Sequence, residues 1–219
     1  IEAITAVFSQ SPYPRSLIYT SGIWVYGSQG HRIVDESMPL QPLEIVKWRP
    51  AHEELVLKAT APNLRTVVIR PGFVYGEKGG LLAHLFASAQ SGTVAIVGEG
   101  GNRWPMVHVQ DLAHAYVSAA EKELSHAVLN VVDDSTETVR EMAEAIARAA
   151  KIEGKVSVMP EEESQKQFGP LVEGLQIDLT VNNSRVKRLL GWQIHHAPFI
   201  SEVDLYLSAW QAAQKSQEF

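Results

Sequence analysis

The stretch LIYTSGIWVYG, residues 17–27, decides the fold. Its first three residues are apolar and are typical of a strand buried on both faces, as in a parallel sheet. Thr20 and Ser21 then place two hydroxyls at the end of this strand, and Gly22 frees the backbone for a turn. Because ligands of open α/β sheets bind at the carboxyl ends of strands, we expect this end to border a binding crevice.

A second apolar, β-branched stretch, RTVVIRPG at residues 65–72, predicts another strand that ends in polar and turn-forming residues. If the two strands are parallel neighbours, both ends face one crevice. Pro71 and Gly72 would then remove side-chain bulk, so that the backbone can approach a flat ring. The alternative interpretation is that Thr20 and Ser21 only cap the turn that follows them.

Outward from these two strands, apolar runs alternate with amphipathic segments, which indicates an α/β fold with a mostly parallel sheet. Residues 28–50 are predicted to be mostly loop, and periodicity is weakest over residues 159–182, which we interpret as a mobile flap or an oligomer contact. Further strands are predicted at 93–98, 103–109, 127–134 and 155–160, and Pro105 places the second of these at a sheet edge. Helices are predicted at 1–10, 50–61, 80–92, 110–122, 135–151, 184–192 and 199–217.

The composition of the 219-residue chain excludes several classes of protein. The formal net charge is −6 and the basic residues are scattered, which argues against a nucleic-acid-binding protein. The absence of cysteine excludes a disulfide framework, a thiolate metal site and a cysteine nucleophile, and it fits a reducing compartment such as the cytoplasm. No apolar run is long enough to predict a membrane span.

Seven segments, taken in chain order, carry a resemblance to a known family. They are LIYTSGIWVYG, DESMPLQP, EELVL, TVVIRPGFVYG, VGEGGNRWPMVHVQDLAHAYVSAAE, LNVVDDSTETVREMAEAIA and NNSRVKRLLGW. In this order they resemble the extended short-chain dehydrogenase/reductases, the NAD-dependent epimerase/dehydratase family. The resemblance covers residues 16–195, which is most of the chain.

The resemblance implies a Rossmann-type parallel sheet that binds NAD or NADP, with a smaller α/β substrate domain. Residues 1–75 would be the C-terminal part of the dinucleotide-binding domain, and residues 76–219 would mainly bind substrate, with 104–135 returning to the Rossmann sheet. The glycine-rich phosphate loop that opens the family pattern is not found. We therefore expect only the C-terminal strands of the sheet here, with roughly 90 residues of βα units preceding them in a longer protein.

The chain departs from the family pattern at the catalytic residues. Counting back from Tyr26, the usual catalytic hydroxyl falls on Gly22, so Ser21 is the substitute candidate. The family's Tyr-x-x-x-Lys pair, in which lysine lowers the pKa of the tyrosine, has no counterpart in EIVKWRPAHEELVL. One alignment puts Ile45 and Arg49 at its positions, and a shifted one puts Trp48 and His52 there. The resemblance is thus to an atypical subgroup that lacks the pair.

The site prediction assigns residues to three roles. For each residue the alternative is that it only packs, caps a turn or helix, or lies on the surface. The predicted catalytic residues are Ser21 and Tyr26; the predicted cofactor-binding residues are Thr20, Ser21, Arg49, Pro71, Gly72, Phe73 and Val74; the predicted substrate-binding residues are Trp48, Arg103 and His108. We expect no metal site, because His195 and His196 would need a third ligand that the sequence does not place.

Two functions remain open. The first is an NAD(P)-dependent oxidoreductase or epimerase-like enzyme acting on a carbonyl or alcohol of a small molecule, with a non-standard acid/base. The second is a non-catalytic NAD(P)-binding sensor or scaffold of the same fold, which the missing tyrosine favours. A homodimer, paired through the helix at residues 50–60, is the expected assembly.

Overall fold

A computed structural model describes residues 1–77 and 80–215. The strands are β1 (Arg15–Thr20), β2 (Ile33–Val34), β3 (Leu64–Pro71), β4 (Phe73–Tyr75), β5 (Val94–Ile96), β6 (Met106–His108), β7 (Ala127–Val131), β8 (Val156–Val158) and β9 (Thr180–Val181). The helices are α1 (Glu2–Ser9), α2 (Arg49–Lys58), α3 (Ala83–Gln90), α4 (Val109–Glu121), α5 (Val139–Ala149), α6 (Glu161–Phe168), α7 (Leu171–Leu175), α8 (Ser184–Leu190) and α9 (Val203–Lys215). Short 3-10 turns lie at Ile23–Tyr26, Glu44–Val46, Gly80–Leu82 and Phe199–Ser201.

The predicted α/β fold with parallel strands is confirmed. The largest sheet has the strand order β1-β3-β7, and both pairings are parallel. Thr20 pairs with Ile69 at the end of β1, so β1 and β3 are neighbours and their carboxyl ends lie together. The pairing of β7 with β3 brings part of residues 104–135 beside the first two strands.

Smaller parallel pairs continue the structure beyond this sheet. β4 begins directly after Gly72 and pairs with β6, which is consistent with the edge position predicted from Pro105. The remaining pairs are β5 with β8 and β2 with β9.

Apolar side chains are buried in two clusters. One lies between the three-stranded sheet and the helices α4 and α8, and includes Val67, Leu129 and Val186. The larger cluster joins the aromatic side chains around β4 to α3, α5 and α9. Helix α5 begins with a capping box formed by Thr138 and Glu141, as its Ser/Thr-rich start predicts.

The structure adds short elements to two irregular segments. Residues 28–50 are mostly loop, as predicted, but they include the two-residue strand β2, and residues 159–182 contain the short helices α6 and α7 and the strand β9. The strands β2 and β9 were missed because each has two residues and its partner lies far along the chain. Helix α1 forms as predicted, but none of its residues is buried. The last helix is described as far as Lys215, and the remainder of its predicted span lies outside the described residues.

Candidate functional site

A cavity of about 300 Å³ opens at the carboxyl ends of β1 and β3. This is the position at which parallel α/β sheets bind ligands, and the volume is at the lower end of the range of small-molecule sites. The cavity is lined by Ser21, Gly22, Ile23, Trp24, Val46, Arg49, Pro71, Gly72, Phe73, Val74, Gly80 and Leu81. Six of the predicted catalytic and cofactor-binding residues are therefore brought together here: Ser21, Arg49, Pro71, Gly72, Phe73 and Val74.

Ser21 contributes a buried hydroxyl to the wall of this cavity. Its backbone N–H donates to the carbonyl oxygen of Ile69 at 2.8 Å, which extends the pairing of β1 with β3 by one residue. The side chain is only 3% exposed, and its Oγ has no hydrogen-bond partner. A buried hydroxyl without a partner is uncommon in folded proteins and requires an explanation.

Arg49 provides the positive charge of the cavity wall. It begins helix α2, ahead of Pro50, a residue tolerated in the first turn of a helix. Its Nη1 donates to the carbonyl oxygens of Ser21 and Thr20, which ties α2 to the end of β1. Its Nε is buried without a partner. The guanidinium therefore retains a donor beyond the two backbone contacts.

Aromatic rings form the apolar side of the cavity. Phe73 lies at 5.7 Å from Trp24 in an edge arrangement and stacks on Trp104 at 4.6 Å. The Trp104 indole N–H donates to the carbonyl oxygen of Leu175, so this aromatic wall is fixed to the C-terminal end of α7. Trp24 and Phe73 line the cavity, and Trp104 supports Phe73 from behind.

Gly72 lines the cavity, where the sequence analysis expected its lack of a side chain to let a ligand approach. The structure gives a different reason for glycine at this position. A Cβ at this position would overlap the carbonyl oxygen of Pro105 and come within 3.0 Å of Val132. The same Pro105 oxygen accepts the N–H of Phe73 at 2.7 Å. Glycine is thus required for close packing between β4 and the segment before β6, whereas the sequence suggested that it clears space for a ligand.

Tyr26 does not line the cavity. Its ring is fully buried, and its hydroxyl donates to Asn130 Oδ1 at 2.8 Å and accepts from Arg70 Nη1 at 2.7 Å. Burial raises the pKa of Tyr26, against the lowering effect of Arg70. Arg70 in turn is paired with Glu53 of α2. The tyrosine is part of a buried polar network behind the cavity.

The structure also places the remaining predicted residues outside the cavity lining. The Thr20 hydroxyl lies 2.6 Å from that of Tyr116. Trp48 is half exposed and stacks against the Arg49 guanidinium, whose carbon lies 5.1 Å from the ring centroid. Arg103 has Nη1 4.0 Å from the carboxylate of Asp178.

His108 is buried against other aromatic rings. It stacks on His196 with ring centroids 3.6 Å apart and lies edge-on to Tyr75 at 5.3 Å. Burial and the neighbouring His196 lower the pKa of His108. Its Nδ1 accepts the N–H of Gln110, which caps the start of α4. These contacts describe a packed helix cap.

Asp133 is a further buried titratable group, which the sequence analysis passed over. Burial raises the pKa of Asp133 to about 6, although its hydrogen bonds from Ser135 and Tyr75 oppose the shift. Tyr75 donates to Asp133 Oδ2 at 3.2 Å, and burial together with this carboxylate raises the pKa of Tyr75.

Sequence reasoning missed the side chains that close the cavity, Trp24, Val46 and Leu81. For Trp24 the sequence carried a usable signal, because an aromatic residue two positions after Gly22 must lie near the end of β1. Val46 belongs to a stretch predicted as loop, where no periodicity indicates which side chains turn inward.

The sequence of the chain is related to that of known proteins. A sequence model of the NAD dependent epimerase/dehydratase family matches residues 3–131, more than half of the chain. The chain belongs to this family. The match includes β1, α2, β3 and β7, the elements around the cavity.

The chain is also similar to several individual proteins. An uncharacterised protein of Schizosaccharomyces pombe is 28% identical over 207 residues, which covers 93% of this chain and 68% of the yeast protein. The epimerase family protein SDR39U1 of Homo sapiens is 28% identical over 141 residues, or 62% of this chain and 46% of the human protein. The chain thus spans about two thirds of the yeast protein and about half of the human one.

Solved structures show the same fold. Human SDR39U1, crystallised with NADPH, superimposes with a TM-score of 0.80 at 22% identity, over 94% of this chain and 70% of that one. The UDP-glucuronic acid 4-epimerase of Bacillus cereus, in complex with UDP-glucuronic acid and NAD, gives a TM-score of 0.78 at 14% identity, over 96% and 65% of the two chains. The Rossmann-type fold expected from the resemblance is therefore confirmed.

Over residues 1–77 and 80–215, no helix combines the length and the apolar character that crossing a membrane requires.

Proposed function

We propose that the protein is an NAD(P)-dependent oxidoreductase or epimerase-like enzyme that acts on a carbonyl or alcohol carbon of a small molecule. One observation carries the proposal: the buried Ser21 hydroxyl has no partner and lies on the wall of the cavity at the ends of β1 and β3. A substrate oxygen would satisfy this hydroxyl, and the position is the one at which folds of this type bind their ligands.

The residues present fit a nicotinamide ring. Pro71, Phe73 and Val74 supply an apolar wall next to the strand ends. The ring would lie against this wall, and Arg49, with its unpartnered Nε, would bind a ribose hydroxyl or a phosphate oxygen. When bound, the cofactor accepts or supplies a hydride. A cavity of about 300 Å³ suits the nicotinamide end of a dinucleotide together with a small substrate fragment.

The roles of this chain's residues follow from their positions. Ser21 donates a hydrogen bond to the substrate oxygen and holds that oxygen beside the ring. Arg49 keeps the end of β1 in place through its backbone contacts, while its Nε is left for a ribose hydroxyl or a phosphate oxygen of the cofactor. Trp24 and Phe73, with Trp104 stacked behind Phe73, form an apolar wall that excludes water. In this scheme the acid/base differs from the tyrosine of the family pattern.

Tyr26 receives a supporting role in this proposal. Its hydroxyl is held by Arg70 and Asn130, and burial raises its pKa. A phenol with a raised pKa and two fixed partners is unsuited to exchange protons near neutral pH. We therefore assign it to positioning the turn that follows Ser21, in place of the catalytic role predicted from the sequence.

The test is titration of the full-length protein with NADH and NADPH, followed by nicotinamide fluorescence, and then turnover measurements with a panel of carbonyl compounds. Ser21→Ala is expected to preserve cofactor affinity and to lower kcat by roughly 100-fold, as for the loss of one hydrogen-bond donor to a reacting oxygen. Ser16→Ala, on the exposed part of the same strand, is the matched control. Absence of binding to either cofactor at millimolar concentration would refute the proposal.

A second candidate is a non-catalytic NAD(P)-binding sensor or scaffold. It is favoured by the cavity wall itself, which in the described residues includes neither tyrosine nor lysine. Tight cofactor binding without turnover, and with equal affinity in the wild type and Ser21→Ala, would support this function. A measurable rate that is lost in Ser21→Ala would exclude it.

The remaining predictions belong to the same proposal. Residues 76–219 would mainly bind the small-molecule substrate, with residues 104–135 returning to the Rossmann sheet. A homodimer through α2 is supported by the exposure of Trp48 and Leu55, which are 50% and 39% exposed. The cytoplasm is the proposed location, and nucleic acid and membranes are not expected partners.

A further inference from the structure

A group of metal-binding side chains lies apart from the cofactor cavity, where α4 meets the segment after α8. Asp111 and His114 stand on α4, one turn apart, and His195 follows Trp192 in the later segment. One possible ligand atom of each lies within 4.8 Å of the others. Asp111 Oδ1 is 3.3 Å from His195 Nδ1, and the rings of His114 and His195 are perpendicular with centroids 5.4 Å apart.

We propose that Asp111, His114 and His195 form a binding site for a divalent transition metal of the zinc class. The sequence analysis found the adjacent histidines 195 and 196 but no third ligand. The fold supplies it, because the loop after α8 returns to the first turns of α4.

The arrangement is held in place without a metal. The Asp111 carboxylate accepts the backbone N–H of His195 at 3.2 Å and that of His196 at 3.2 Å. The indole N–H of Trp192 donates to the Asp111 carbonyl oxygen at 2.8 Å. These hydrogen bonds fix the His195 backbone relative to α4. Little ordering of the chain is therefore needed when a metal binds, which favours affinity.

The ligand chemistry fits zinc. Imidazole nitrogen and carboxylate oxygen bind Zn²⁺ at about 2.0–2.2 Å. Asp111 is buried, with its side chain 2% exposed, whereas the side chain of His195 is 54% exposed and His114 is also exposed. Because both histidines are exposed, a rotation of their side chains would bring the ligand atoms into a tetrahedral arrangement around the metal. The carboxylate provides the fixed ligand and the histidines adjust to it.

A further nitrogen lies beside the group. His196 Nδ1 is buried and is 3.2 Å from Asp111 Oδ1. Two imidazole nitrogens, those of His195 and His196, therefore approach the same buried carboxylate.

The fourth coordination position is open. A cavity of about 270 Å³ borders both histidines, and it shares no residue with the cofactor cavity. Its lining is His114, Val117, Ser118, Gly191, Trp192, Gln193 and His195. Three protein ligands with an open position allow water or a small oxygen ligand to complete the coordination.

The test uses the purified chain after treatment with EDTA. Isothermal titration with ZnCl₂ is expected to show one Zn²⁺ bound per chain, and CoCl₂ is expected to give visible absorption bands of a four-coordinate site. His114→Ala and His195→Ala should each weaken Zn²⁺ binding at least about tenfold. His31→Ala, which removes another exposed histidine, is the matched control and should bind like the wild type.

Thermal unfolding separates a ligand role from a folding defect. Because both histidines are exposed, the metal-free variants should melt like the metal-free wild type, and Zn²⁺ should raise only the melting temperature of the wild type and of His31→Ala. Failure of Zn²⁺ to bind at millimolar concentration would overturn the proposal, as would equal affinity in the wild type and both ligand variants. None of these measurements depends on enzymatic activity.

Discussion

Glu53 of α2 and Arg70 of β3 form a buried ion pair near the cavity at the ends of β1 and β3. Arg70 Nε donates to Glu53 Oε1 at 3.0 Å, and Nη2 donates to Oε2 in the same pair. Neither side chain is more than 4% exposed. Arg70 also donates to the Tyr26 hydroxyl, so the pair connects α2, β3 and the turn after β1. The three elements that carry Ser21, Arg49 and Pro71 are thus joined by one polar network.

Glu53→Gln is expected to destabilise the protein by about 3–5 kcal/mol, because it leaves the buried Arg70 without a compensating charge. Urea unfolding measures the change. Glu54→Gln, on the next residue of the same helix, removes an exposed pair with Lys58 and should leave the free energy of unfolding nearly unchanged. Similar unfolding midpoints for the two variants would contradict the structural importance of the buried pair.

Gly22 and Gly72 are expected to respond differently to the same substitution. Gly22 has an extended backbone, with φ 172°, and a Cβ there would lie 3.5 Å from Arg49 Nη1, an ordinary contact. Gly72→Ala would drive its Cβ into the Pro105 carbonyl and should cost about 1–3 kcal/mol. Gly22→Ala should melt like the wild type, and Gly22→Ser would restore a hydroxyl where the family pattern has one. Equal melting temperatures for Gly22→Ala and Gly72→Ala would count against this packing.

The carboxyl of Asp133 should make stability depend on pH. Its pKa is raised to about 6 in the folded state, above its unfolded value, so the native protein binds the proton more tightly than the unfolded chain. Ionisation therefore destabilises the fold as pH rises from about 4 to about 6, by roughly 3 kcal/mol at most. Asp133→Asn removes this titration. The stability of the variant relative to wild type should increase over that pH range and stay constant above it.

Asp134→Asn provides the matched control for this pH series. Burial acts to raise the pKa of Asp134, but hydrogen bonds from Lys187 and Asn183 outweigh it and lower the pKa. Its stabilising contribution is present above the unfolded pKa and is lost only as pH falls below about 4, so between pH 4 and pH 7 the difference in stability between Asp134→Asn and wild type should stay nearly constant. Urea unfolding between pH 4 and pH 7 measures both variants. Parallel pH profiles for wild type and Asp133→Asn would show that the carboxyl has an ordinary pKa.

Gly174→Ala should disturb the cavity from a distance. A Cβ at Gly174 would come within 2.5 Å of the indole of Trp24, which lines the cavity. We expect a loss of about 1–3 kcal/mol of stability and an altered near-ultraviolet circular dichroism spectrum as this indole moves. Gly101→Ala, where a Cβ would meet nothing within 4 Å, is the control. An unchanged aromatic spectrum in Gly174→Ala would mean that α7 adjusts and Trp24 stays in place.

The fold was largely predictable from the sequence because its main strands carry strong local signals. Residues 17–19 and 67–69 are continuous apolar runs followed by polar and turn-forming residues, and both form strands at the expected places. The short elements β2 and β9 were not predictable. Each has two residues and is stabilised by the other across almost 150 positions, so neither carries a local pattern.

The candidate site was predictable where it depends on the backbone and less so where it depends on side-chain direction. Ser21, Arg49 and residues 71–74 follow directly from strand ends and a helix start, and they line the cavity. Tyr26 is five residues from Ser21, yet it turns inward to Arg70, a partner in a strand more than forty residues away. The sequence places these residues on their elements but carries no signal of which side chains pair.

The central position of β3 has a consequence for how the chain reaches this structure. Residue 67 pairs with residue 127, and residue 66 pairs with residue 17, so each neighbour of β3 is distant in sequence. Non-local parallel pairing slows folding, because long loops must close before any pairing is gained. During synthesis at about 5–20 residues per second, β3 would remain exposed on one edge for several seconds until β7 emerges. Nascent chains are therefore most vulnerable to aggregation in that interval, when the apolar residues of β3 are made but only half covered.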